Sequence, residues 1–146
     1  MLKRPHALVA LALAATSAAL AVGSTPASAA SVASTVTVDS TASGGSVTGR
    51  CAFLVSLPQT GSINSIPVAF TGTATATGVA VSTSIRCFLT SGGSGSAGIT
   101  TPGPEAVTAG QGSYNRLAPN PQICATVSSA FSNGSTAPSR TLCHSL

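Results

Sequence analysis

An all-β fold, a β-sandwich with Greek-key connections, is predicted by three observations. Apolar residues recur with period two in segment after segment, threonine is abundant inside those segments, and Gly- and Pro-rich turns separate them. Period two sends alternate side chains to opposite faces of a strand, and the threonine β-branch suits extended backbone. Beyond residue 30 no segment repeats with the helical period, so no helix of more than two turns is expected there.

Residues 1–29 read as a secretory signal that precedes one domain, 30–146. Lys3, Arg4 and His6 form a basic start, and Ala7 to Val22 is an apolar run. Gly23 to Pro26 break it, and Ala27-Ser28-Ala29 is a small-x-small cleavage site. The apolar run is shorter than the about 20 residues needed to span a bilayer, so export rather than anchoring is expected, with no membrane association after cleavage. The first strand is expected over Val32 to Val38, with Val36 and Val38 on one face. Gly44-Gly45 leads into a second, Ser46 to Val55, whose odd positions Val47, Gly49, Cys51, Phe53 and Val55 make an apolar row. Pro58 to Ser62 is a turn.

The third strand, Ile66 to Ala76, places Ile66, Val68, Phe70, Ala74 and Ala76 opposite Thr71, Thr73 and Thr75. Thr77-Gly78 then reads as a tight hairpin turn into a fourth strand, Val79 to Leu89, with Val79, Val81, Ile85, Cys87 and Leu89 on one side. Ser91 to Gly98 is expected as a flexible loop. Thr101 to Pro104 and Pro119 to Pro121 bracket a stretch with no clear period that holds Glu105, Tyr114 and Arg116. Gln122 to Phe131 joins Ile123, Ala125, Val127 and Phe131 on one face. Asn133-Gly134 is a strong hairpin signal before a last strand, Ser139 to His144.

Composition excludes most chemistry. Charged residues are 5% and aromatics 3% of the 146, with no Trp. The acids are Asp39 and Glu105, and the one histidine outside the signal is His144. A serine triad needs a base and an orienting group, and a glycosidase needs two carboxyl groups about 5–10 Å apart. No G-x-S-x-G elbow is present, because Gly92-Gly93-Ser94-Gly95-Ser96 fails at its last position. No phosphate-cradling glycine motif occurs. Arg50, Arg86, Arg116 and Arg140 are scattered and form no basic run, so no nucleic-acid partner is expected. Asn133-Gly134-Ser135 matches a glycosylation pattern but reads as a turn.

Cys51, Cys87, Cys124 and Cys143 are an even set in an exported chain and read as two disulfides. No two have the close C-x-x-C spacing usual for zinc, and no metal or cofactor is expected. Cys51 and Cys87 lie on the apolar faces of their strands, and Cys124 and Cys143 flank Asn133-Gly134 at equal distances. The pairing expected is therefore Cys51–Cys87 and Cys124–Cys143, against the rival Cys51–Cys124 with Cys87–Cys143. Cys124 lies opposite Ile123 and Val127, and Pro138 interrupts the ladder, so a bulge or a wider loop must adjust that hairpin. Arg50 and Arg86 each precede an inward cysteine. Paired strands would put both on one outer face, as a small anion-binding spot or as charges that discourage sheet aggregation.

The segments GRCAF (49–53), TGTATATGVAVSTSIRCFL (71–89), TPGPEA (101–106) and ICATVSSAFSNGS (123–135), closed by TLC (141–143), resemble the small exported immunoglobulin-like proteins of high-GC Gram-positive bacteria. That resemblance implies an immunoglobulin-like sandwich outside the cell and no particular activity. In size and disulfide number the chain is also similar to the neocarzinostatin-type chromophore carriers, whose bridges, unlike these, close short loops. The function expected is a secreted non-enzymatic module that binds an extracellular protein or small ligand through the loops 91–105 and 111–122. An inhibitor of an extracellular hydrolase and a small-molecule carrier are versions of it. The competing class is a minimal extracellular hydrolase built on His144 or on Asp39 with Glu105.

Overall fold

The computed structural model describes residues 30–57, 65–115, 117 and 120–146. The expected signal (1–29), the turn at 58–62 and Arg116 lie outside the described residues. Nine strands follow in order: β1 (Ala30–Ala42), β2 (Gly45–Leu57), β3 (Ile66–Ala76), β4 (Ala80–Thr90), β5 (Gly93–Ser94), β6 (Ser96–Pro102), β7 (Glu105–Tyr114), β8 (Gln122–Phe131) and β9 (Thr136–Ser145). They form two antiparallel sheets, β1-β2-β3-β7-β5 and β6-β4-β8-β9, with no helix among the described residues. The sheets pack face to face. β3 shows why: its side chains alternate buried and exposed at every position from Ile66 to Ala76.

The core between the sheets is aliphatic, with Val36, Val47, Val55 and Val68 from one layer and Ile85, Ile123 and Val127 from the other, all fully or almost fully buried. Phe53 and Phe70 add an aromatic pair, with centroids 5.5 Å apart. Cys51 on β2 and Cys87 on β4 are bonded through this core, linking sheet to sheet. Two inward glycines make room: a Cβ on Gly72 would sit 2.5 Å from the Cys87 sulfur, and one on Gly49 would meet the Val127 side chain. Three buried hydroxyl side chains, Ser40, Thr83 and Ser129, each donate to a main-chain carbonyl, on Pro138, Gly103 and Ser82 respectively.

Several expectations are corrected. Thr77-Gly78 is no hairpin, because β3 and β4 belong to different sheets and the chain crosses the sandwich there. Val81 is an extra residue between the Ala80–Phe131 and Ser82–Ala130 pairs, and this bulge turns it outward, 55% exposed, with Val79 exposed beside it. Ser91 to Gly98 is not a loop. Gly93–Ser94 pairs with β7 in one sheet and Ser96 onward pairs with β4 in the other, so Gly95 alone carries the chain between layers. Gly95 has φ +124°, and a Cβ there would lie 2.6 Å from the Gly112 Cα, so glycine is required. The unpatterned stretch after Pro104 is β7, a full strand beside β3.

The β8–β9 hairpin combines both adjustments the sequence asks for. Gly134 N donates to Phe131 O and Phe131 N to Ser135 O, so the loop has three residues, Ser132 to Gly134, with Gly134 at φ +84°. Between the Val127–Arg140 and Ser129–Ala137 pairs, Ser128 faces both Pro138 and Ser139. That bulge cancels the one-residue offset of the wider turn, and Cys124 falls directly opposite Cys143, to which it is bonded. Two disulfides in a small all-β domain indicate an oxidising environment.

Candidate functional site

Strand register brings together a face that spacing along the chain does not reveal. On the outer side of the five-stranded sheet, Ala33, Leu54, Ala69 and Gln111 form one row across β1, β2, β3 and β7. Thr35, Ala52, Thr71 and Ala109 form the next, and Thr37, Arg50, Thr73 and Val107 a third. Four alanines thus lie between taller neighbours on a surface that twisting already curves. The result is an open concavity of about 740 Å³, within the size range of small-ligand sites. Its floor is alanine, Leu54 forms a wall, and Thr35, Thr71, Gln111 and the exposed Arg50 supply the polar groups. Phe53 and Phe70 run beneath it but belong to the core.

The residues singled out from the sequence are dispersed by the same topology. Arg50 and Arg86 stand on β2 and β4, and both are exposed. Their cysteine neighbours meet between the layers, so the arginines point from opposite faces and form no common anion spot. Arg86 lies over the Phe88 ring at 4.8 Å and beside a smaller hydroxyl-rich hollow of about 370 Å³ that includes Ser84, Thr100 and Thr126. Asp39 and Glu105 occupy one row, Asp39–Thr48–Thr75–Glu105, with two strands between them. Three strand spacings put their backbones about 14 Å apart, beyond the separation for paired-carboxylate hydrolysis. Asp39 accepts a hydrogen bond from Thr48 Oγ1 at 2.6 Å.

His144 is exposed on β9, opposite Ile123. Arg140 shares a small groove with Asp39, and His144 lies four residues further along, about 13 Å at strand rise. Asp39 therefore lies too far along the flank to orient His144. Among the described residues no group of three His, Cys, Asp or Glu side chains could hold a metal ion, and all four cysteines are bonded. Asn133 is used in its own turn: its Oδ1 accepts from both Ser135 N and Ser135 Oγ.

Comparison with known proteins gives no match. No family model, curated protein or solved structure matches the chain.

Of the two binding loops expected from the sequence, 91–105 is mostly strand, since 93–94 and 96–102 are β5 and β6, whereas 111–122 holds only the end of β7 (111–114) and the first residue of β8 among its described residues. The concavity was not foreseen. Alanine at outward strand positions carries no signal by itself, and only Leu54, an apolar residue in the outward register of β2, hints at it.

Proposed function

We propose that the protein is a secreted, non-enzymatic, immunoglobulin-like module that holds a small amphipathic molecule, an apolar body with one anionic end, against the outer face of its five-stranded sheet. The observation that carries this reading is the alanine-floored concavity with Arg50 at its edge. An apolar floor favours burial of a ligand's hydrocarbon surface, and a guanidinium gives one directed, charge-assisted hydrogen bond. The basic and apolar N-terminal segment and the two disulfides support an extracellular location. The immunoglobulin-like assignment is supported by the pairings β3–β7 and β4–β8, each joining strands distant in sequence. The wide separation of Asp39, Glu105 and His144 supports a binding role over hydrolysis.

Titration with anilinonaphthalene sulfonate, an apolar ring system carrying one sulfonate, tests the reading. Saturable binding to the folded protein is expected, weakened about tenfold by Arg50→Gln, in line with a charged hydrogen bond of about 1.5–3 kcal/mol. Ala52→Trp, which fills the floor, should abolish it. Binding indifferent to both substitutions would overturn the assignment.

A further inference from the structure

We propose that β1 is a dimerisation edge, through which two copies of the chain pair antiparallel over residues 30–38 and fuse their five-stranded sheets into one. Among the described residues β1 bonds to a single strand, β2, in a ladder of consecutive pairs from Ala30–Leu57 to Ala42–Gly45 with no bulge. The N–H and C=O groups on its other side are a template for another strand. The remaining edges are guarded. β9 carries Pro138, Arg140 and a bulge; β6 is short and ends in Pro102; β5 has two residues. Residues 30–38 hold no charge and no proline.

The flank between β1 and β9 also leaves core-directed side chains uncovered. Val32 shares the register of Val36 and Val38, which are buried, yet it is 48% exposed. Leu142 on β9 lies opposite fully buried Ala125 and is 42% exposed. Towards the other end the flank is tied by the bond from Ser40 Oγ to Pro138 O, 2.6 Å, and Leu142 shares a groove with Thr37 and Val38, so the uncovered stretch runs from there to Val32.

The occupant that fits is a second copy. The stretch Val32-Ala33-Ser34-Thr35-Val36 is its own antiparallel complement. In a two-fold pair centred on Ser34, Val32 of one copy meets Val36 of the other, so inward positions stay inward across the joint. The stretch 30–38 is uncharged and has no like charges to repel across the axis. The second copy also brings its own Val32 and Leu142 to the mouth it covers.

Light scattering on the secreted protein, over a range of concentrations, should give a mass twice that of one chain. Val32→Lys and Leu142→Lys, on different strands, should each return the mass to one chain with the folded circular dichroism spectrum retained. Val107→Lys, on the outer face away from the edge, should leave the doubled mass unchanged. A parent protein that is monomeric at all concentrations overturns the proposal. So does a doubled mass that survives both edge variants, or one lost on Val107→Lys, which would mean pairing through the sheet face or with another partner. Ligand binding in the concavity is read separately and does not enter this outcome.

Discussion

The two flanks of the sandwich are closed by different means. On the β5–β6–β7 side one strand passes from sheet to sheet at Gly95, and β6 lies so close to β7 that a Cβ on Gly110 would meet the Ala97 Cβ at 2.7 Å. On the β1–β9 side no strand crosses among the described residues, and hydrogen bonds between the layers include those of Ser40 with Pro138 and of Gly44 N with Ser135 Oγ. Backbone continuity seals one flank and side-chain hydrogen bonds hold the other. Opening should therefore begin at β1.

The strongest way to break that contrast is to cut the cross-link midway between the flanks. Cys51→Ala with Cys87→Ala should lower stability by about 4 kcal/mol, the chain-entropy value for a loop of that length, and hydrogen exchange should then show β1 losing protection before β7. Cys124→Ala with Cys143→Ala should cost less, about 3 kcal/mol at most, because the Ser132–Gly134 turn already joins β8 to β9. Urea midpoints of the two variants give the order directly. At the closed flank, Gly112→Ala puts a Cβ 2.3 Å from the Ser94 carbonyl oxygen, with Leu89 at 2.7 Å. Overpacking of this kind costs about 1–3 kcal/mol and should appear as a lower thermal midpoint. At the open flank, Ser40→Ala removes one hydrogen bond, and a loss of about 1 kcal/mol is expected by urea denaturation. Val107→Thr, on neither flank and 64% exposed, should change stability by no more than about 0.5 kcal/mol.

What was legible in the sequence follows from where large apolar residues were needed. β3 and β8 were read with the bounds they have, because their inward positions carry Ile, Val and Phe. The Cys51–Cys87 pairing was legible for the same reason, and Cys124–Cys143 from its equal spacing about Asn133-Gly134. β7 was invisible because its inward positions are Ala106, Thr108, Gly110 and Gly112, kept small by Ala97, Phe70 and Leu89, while Val107 points outward. Its periodicity is inverted. Thr77-Gly78 looked like a hairpin because a turn dipeptide specifies a change of direction and not which sheet comes next. The candidate site could not be read, since it exists only as rows across four strands, and rows require register.

The bulge at Pro138 has a consequence for how the hairpin finds its partner positions. A two-residue turn on Asn133-Gly134 without a bulge and the observed three-residue turn with one deliver the same Cys124–Cys143 alignment. Oxidation cannot proofread between them. They differ only near the tip, where the observed frame puts Ala137 in the core at 1% exposed and turns the Pro138 carbonyl toward Ser40, while the other would set Pro138 opposite Ser129 in a regular ladder. Proline, which has no N–H to give that ladder, acts as the editor of a frame that the disulfide then makes permanent. With alanine at position 138 the covalent bond would seal both drafts alike.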